Sequence, residues 1–360
     1  MNVLFVDLET AWRGGQNQAL LTLKGLRHRG HVAELVASRG SALGHRAAPE
    51  GIPVHRVSRK LFRYAAVHKI RSLLKQGRFD VIHVNEAHAL TAAWLARAHK
   101  FAPMIISRRV GFPLRQSKVG LARFRAASRI IAISDWVKDQ AVASGAPRDK
   151  MAIVYEGEPV PDMFSAEAKR AARQRWRLPE DAHVLGCVAV LSEDKGHEYL
   201  IRALPKLRAE FPNVRLLLAG DGPLRSRLSA LSRQLGVWDA VLFAGFVKDI
   251  ASVYATLDVF LFPAQFEGLG TSLLAAMARG IPSAAFRCCA FPEIIDDGSS
   301  GFLMERNAAA IEEVTARLLR DPALAGQIGA AGRRTIEERF SADRMVEETL
   351  KVYADCLGEK

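Results

Sequence analysis

Glu267 stands beside Gly268 in the stretch Asp258 to Leu303, DVFLFPAQFEGLGTSLLAAMARGIPSAAFRCCAFPEIIDDGSSGFL. The stretch reads as a buried strand over Val259–Phe262, a loop holding Glu267, Gly268, Leu269 and Gly270, and a helix over about Thr271–Ala278. Gly280 and Pro282 end that helix, and a second strand follows near Ser283–Phe286. The first amides of such a helix, from Gly268 through Thr271, have no partner within it and form an anion site suited to phosphate. A carboxylate there repels phosphate, so Glu267 is expected to meet sugar hydroxyls or a developing positive charge. Phosphate cradle and hydroxyl-binding acid together suggest a nucleotide-sugar. On the bare pattern, a plain αβ unit in which Glu267 caps a helix is the alternative.

Other polar groups gather where strands are expected to end. Lys195–Gly196 follows the strand-like Val184–Val190 and opens a helix. Gly220–Asp221–Gly222–Pro223 and Ala244–Gly245–Phe246–Val247 leave the next two strands, although turn chemistry alone explains their glycines. In the first half, Gly14 and Gly15 follow the strand Val3–Asp7 and would let backbone approach a phosphate or sugar, or simply turn. Glu86 and His88 follow Val81–Val84 and are candidates to touch an acceptor. Arg108 and Arg109 follow Met104–Ser107 and suit a phosphate or carboxylate, or are solvated surface charges.

These positions imply alternating βα units. Further strands are expected at Val32–Ala37, Val54–Val57, Ile130–Ile133 and Ala152–Val154, and, in the second half, at Val214–Ala219 and Val241–Phe243. Helical patterns run over Asn17–Arg29 and close the chain at Ala309–Leu319, Ala323–Arg339 and Ala342–Cys356. The fold expected is α/β, two Rossmann-like domains facing a cleft, with ligands at the carboxyl ends of the strands. Tyr155–Ala166, rich in Pro and acids, reads as the linker. Residues 1–160 would bind acceptor and 161–340 nucleotide-sugar, while 341–360 form a helix packing back on the first domain.

The 360 residues suit two domains, and no apolar run reaches the ~20 residues of a membrane span. Met1–Glu9 is expected to be a first buried strand and not a signal peptide. Four cysteines without metal-ligand spacing fit a reduced cytosolic protein. Residues 1–160 hold 26 Lys and Arg against 11 Asp and Glu, a net +15, whereas the remainder holds 25 against 27. A basic half can face nucleic acid, an anionic membrane or an anionic substrate, and no nucleic-acid-binding motif supports the first. Arg59–Arg78 puts Phe62, Ala66, Ile70 and Leu73 on one face and Lys60, Arg71, Lys75 and Arg78 away from it. Lys118–Arg129 mixes Val119, Leu121 and Phe124 with four cations. Each stripe either packs on the sheet or lies on an anionic membrane.

The second half resembles the donor-binding core of family-4 glycosyltransferases, whose fold is called GT-B. Pro263, Glu267–Gly268, Ala276–Met277–Ala278, Gly280, Pro282, Pro292–Glu293, Asp297–Gly298 and Gly301 carry the likeness in order and spacing. It extends to Lys195–Gly196 and the glycine turns, and reaches back to Gly14. The resemblance implies sugar transfer from a nucleoside-diphosphate-sugar to an acceptor hydroxyl, with retention of configuration, no cofactor and no essential metal. It implies Glu267 and Lys195 as catalytic, Lys195 on the diphosphate. It places Gly14, Gly15, Gly222, Phe246, Val247, Gly268, Leu269, Gly270, Thr271 and Glu293 at the donor. Two positions depart: a second family Glu would fall at Ala275, and a diphosphate-gripping Arg at Val190. The acceptor expected from the basic half is a membrane-facing glycolipid or a lipopolysaccharide core, with a cytoplasmic protein peripheral on the inner face of the membrane. A non-catalytic glycan- or nucleotide-binding relative and a nucleotide-sugar epimerase remain as alternatives. A dehydrogenase is disfavoured, because G-x-G-x-x-G is absent.

Overall fold

The computed structural model describes residues 1–58, 62–114 and 117–358. The chain divides into two compact units, Met1–Gly157 with Ala342–Lys360, and Glu158–Ser341. Each is built on one parallel sheet with helices between successive strands.

The first sheet has seven strands: β1 (Asn2–Asp7), β2 (Val32–Ser38), β3 (Val54–Val57), β4 (Val81–Val84), β5 (Met104–Arg108), β6 (Arg129–Ala132) and β7 (Met151–Ile153). Their spatial order is β3-β2-β1-β4-β5-β6-β7. Val3, Leu4, Phe5 and Val6 are all fully buried, as an unbroken apolar strand covered on both faces requires. Alternation sends Leu4 and Val6 into one core and Val3 and Phe5 into the other. The helix Ala342–Leu357 closes the second of these cores with Met345, Val346, Val352 and Tyr353. Its Tyr353 hydroxyl meets His83 Nδ1 of β4 at 2.5 Å, while His83 Nε2 reaches Ser107 at 2.7 Å. Burial pushes the His83 pKa down to about 3, so the ring is neutral in this link.

Of the two amphipathic segments, the first forms the helix Phe62–Leu74, and Ala66, Ile70 and Leu73 enter the core. The described part of its apolar stripe is therefore spent on packing. Lys60 and the Phe62 side chain lie outside the described residues. In the second segment Phe124 is buried and Leu121 packs against the same core, yet Val119 is 57% exposed. Among the described residues no helix is long and apolar enough to cross a membrane.

The second sheet has six strands: β8 (His183–Val188), β9 (Val214–Ala219), β10 (Val241–Gly245), β11 (Val259–Phe262), β12 (Ser283–Phe286) and β13 (Phe302–Met304), in the order β10-β9-β8-β11-β12-β13. β13 was not expected from the sequence. Its three residues pair in register with Ala284, Ala285 and Phe286 of β12.

Candidate functional site

In an open parallel sheet, connections leave the strands on either side of an order reversal in opposite directions, which opens a crevice at their carboxyl ends. The second sheet reverses between β8 and β11, and the first between β1 and β4. The segments leaving β8 and β11 carry Lys195 and Glu267.

Lys195 ends the short 3-10 turn Glu193–Lys195, after which Gly196 takes a φ of 65°. A Cβ there would lie 2.1 Å from the Pro263 carbonyl oxygen, so only glycine lets the two loops touch backbone to backbone. The Gln265 N–H donates to the Asp194 carbonyl at 2.7 Å across the same contact. Lys195 Nζ then sits 3.0 Å from Glu267 Oε2 and 2.8 Å from Asp194 Oδ2, and donates to the Phe266 carbonyl at 3.3 Å. Burial works against the ammonium, but Glu267 and Asp194 outweigh it and hold its pKa above the ordinary lysine value. Glu267 Oε1 accepts the Gly268 N–H at 3.1 Å. Sequence reasoning gave Lys195 and Glu267 to different parts of a ligand; the fold brings them into one ion pair.

The helix Thr271–Ala278 starts at Gly270, φ 98°, and no side chain caps it. Among the described residues the N–H groups of Thr271 and Ser272 have no acceptor. Ammonium and open amides thus flank one strand end. The Leu269 side chain is wholly buried, so what this residue can present is its backbone.

Around this centre the ends of β8, β9 and β10 are knitted together. Gly220 N–H donates to the Gly245 carbonyl at 2.8 Å, and Leu191 N–H to the Asp221 carbonyl at 3.1 Å. A Cβ at Gly220 would fall 1.9 Å from the Ala189 carbonyl oxygen. Gly222 packs against Leu191 in the same way. Phe246 is 70% exposed and Val190 57%, while Val247 is half-buried beside them. Ala275 is buried in its helix. Glu293 is half-buried on the short helix Phe291–Ile294, where its carbonyl accepts from Arg339 at 2.8 Å.

Two side chains at this switch point escaped the sequence reading. Asp194 shares Lys195 with Glu267. His197 is wholly buried, and neither ring nitrogen has a partner among the described residues. Burial pushes its pKa down to about 4 from an ordinary 6.5. As pH falls below 6.5 the unfolded chain takes up a proton that the folded chain refuses, so His197 withdraws stability between 6.5 and about 4. The loss attributable to it at pH 5 is about 2 kcal/mol. His197→Leu should therefore show a smaller drop in Tm between pH 7 and pH 5 than the parent; equal drops would refute the assignment.

At the switch point of the first sheet, Asp7 ends β1 and is fully buried. Its Oδ2 accepts from Asn85 Nδ2 at 2.6 Å and Gln16 Nε2 at 3.1 Å. Burial raises the Asp7 pKa in spite of these donors. Arg109 binds Asn85 Oδ1 through Nε and Nη2, and pairs with Glu156 at 2.7 Å. Asn85 also reaches the Gly15 carbonyl at 3.4 Å. Asp7, Gln16, Asn85, Arg109 and Glu156 therefore brace the loop of Gly14 and Gly15, where the helix Gly14–His28 begins. The signal for Asp7 and Asn85 was their position as the ends of the two central strands.

Glu86 accepts the N–H groups of Leu8, His88 and Ala89 and so caps the helix Ala87–Leu95; His88 is exposed on that helix. Arg108 donates to the Phe112 carbonyl and has no carboxylate partner among the described residues. Burial pushes its pKa down to about 10. Of the two adjacent guanidiniums, Arg109 is neutralised within the domain and Arg108 is not.

Two such α/β units, with these switch-point loops, have the GT-B fold. The chain belongs to glycosyltransferase family 4: the model described as "Glycosyltransferase Family 4" matches residues 12–157, and "Glycosyl transferases group 1" matches 168–335. It is 31% identical over 232 residues to the uncharacterized glycosyltransferase MJ1607 of Methanocaldococcus jannaschii, covering 62% of this chain and 59% of that one. It is 29% identical over 298 residues to the lipopolysaccharide core biosynthesis glycosyltransferase LpsE of Rhizobium meliloti, covering 79% of each. The chain spans about half the length of the first relatives it matches. The crystal structure of Anabaena HepE in complex with UDP and glucose superposes with a TM-score of 0.84 at 21% identity, over 99% of this chain and 100% of that one.

Proposed function

We propose that this protein transfers a sugar from a nucleoside-diphosphate-sugar to an acceptor hydroxyl, with retention of anomeric configuration and without an essential metal. The observation that carries this reading is the meeting of Lys195 and Glu267 beside the uncapped amides of the helix Thr271–Ala278. Negative charge grows on the diphosphate as the glycosidic bond breaks. An ammonium held charged by its neighbours and fixed backbone dipoles stabilise that charge without reorganising. Glu267, once the diphosphate shares Lys195, is left to orient sugar hydroxyls and favour positive charge at the anomeric carbon. The HepE complex, which holds UDP and glucose on the same fold, supports a donor of this class.

The acceptor we propose is a glycolipid or lipopolysaccharide core at the inner face of the membrane, reached by a cytoplasmic protein. Support comes from the +15 charge of residues 1–160, from the exposed Phe112 and Val119, and from the likeness to LpsE. The test is nucleoside diphosphate release from UDP-, GDP- and ADP-sugars in the presence of lipid-linked acceptors. Turnover with one of them supports the reading. Val190, exposed where a cation would grip phosphate, and the buried Ala275 favour a second reading, binding without turnover. A folded protein that binds a nucleoside diphosphate and never releases product would establish it.

A further inference from the structure

Cys288 and Cys289 follow β12 and have no part in the transfer proposed above. Both are half-buried. Cys289 has a φ of 53°, the left-handed region that costs a non-glycine residue about 1 kcal/mol or more. Both thiols converge on one stretch of backbone. Cys288 Sγ lies 3.4 Å from the Ala264 carbonyl oxygen and 4.0 Å from that of Gln265, and Cys289 Sγ lies 3.5 Å from the latter. The neighbouring Cys288 thiol draws the Cys289 pKa down to about 7 against the effect of burial, with Arg306 helping. By contrast, burial pushes the Cys187 thiol up to about 12 and raises that of Cys356.

We infer that Cys288–Cys289 is a thiol-modification site, a vicinal dithiol that a small-molecule disulfide converts to an internal bridge, loosening the loop that carries Glu267. The chemistry balances with one oxidant. The Cys289 thiolate attacks RSSR and expels one RS⁻. Cys288 sulfur then attacks Cys289 Sγ, its proton leaves to the expelled thiolates, and the second RS⁻ departs. The protein loses two electrons, and RSSR gains them as two RSH. Adjacent Cα atoms lie about 3.8 Å apart, short of the usual disulfide span of about 4.4–6.8 Å, so the bridge is strained and easily reduced. Bridging removes both S–H donors from the Ala264 and Gln265 carbonyls. Gln265 also holds the Asp194 carbonyl, next to Lys195, so both sides of the ion pair feel the change.

The consequence for nucleotide binding rests on the proposed function, whereas formation of the bridge does not. The full chain is treated with glutathione disulfide and mapped by non-reducing peptide mass analysis. UDP, GDP and ADP binding is measured calorimetrically before treatment, after it, and after dithiothreitol. The peptide holding both cysteines should become lighter by its two thiol hydrogens. Nucleotide affinity should fall roughly 5- to 10-fold, the scale of two weak sulfur hydrogen bonds, and dithiothreitol should restore it. Cys288→Ser should stop at a glutathione adduct on Cys289. The inference is overturned if the pair keeps both thiols while Cys356 reacts, or if a complete bridge leaves affinity unchanged. A chain that bridges yet binds no nucleoside diphosphate in either state refutes the transferase reading and supports the dithiol site.

Discussion

Glu267→Ala is expected to lower sugar transfer by about 10²–10³-fold, the scale seen when one preorganised charge-stabilising group is removed from an active site. Nucleoside diphosphate release under steady state measures it. A carboxylate that serves ligand alone would leave the melting temperature nearly unchanged on removal. The structure adds a cost, since Glu267 holds Lys195 at 3.0 Å and the Gly268 amide at 3.1 Å. The side chain is a quarter exposed, so the ion pair is partly screened and the loss should stay near 1–2 kcal/mol, a few degrees in Tm. Glu267→Gln separates the two effects. It keeps an acceptor for Gly268 and should recover most of the stability, but without the charge it should recover little transfer. A Gln variant that turns over like the parent would remove the carboxylate from the mechanism.

Strands that are apolar on both faces were legible because parallel sheets bury both. β1 and β11 were therefore read almost to the residue. β13 was not, since Phe302–Met304 is too short to show a period and acquires its identity by pairing with β12. Glu267 was legible from the glycines beside it and the helix that follows. Its pairing with Lys195 was not, because the order of strands brings β8 next to β11 and no local pattern encodes that order. The same holds for Asp7 and Asn85, each an unremarkable polar strand end until β1 and β4 become neighbours. His197 looked like any residue of a helix's first turn; that its ring nitrogens have no partner among the described residues is a property of packing alone.

Lys195→Ala is expected to weaken nucleoside diphosphate binding about 10- to 100-fold, the value of a charge-assisted contact to phosphate. More is lost than the contact itself. Lys195 compensates both Asp194 and Glu267, and without it two carboxylates face the incoming pyrophosphate. Removing Glu267 as well relieves part of that repulsion. The double variant Lys195→Ala/Glu267→Ala should therefore bind UDP, GDP or ADP at least as tightly as Lys195→Ala alone, while remaining inactive in transfer. Independent sites would instead show losses that add within about 0.5 kcal/mol. Additive losses in calorimetry would mean that ammonium and carboxylate do not act as a unit. Charge neutralisation would then rest on the helix amides alone, and a variant at Gly270, whose φ of 98° positions those amides, would become the more damaging change.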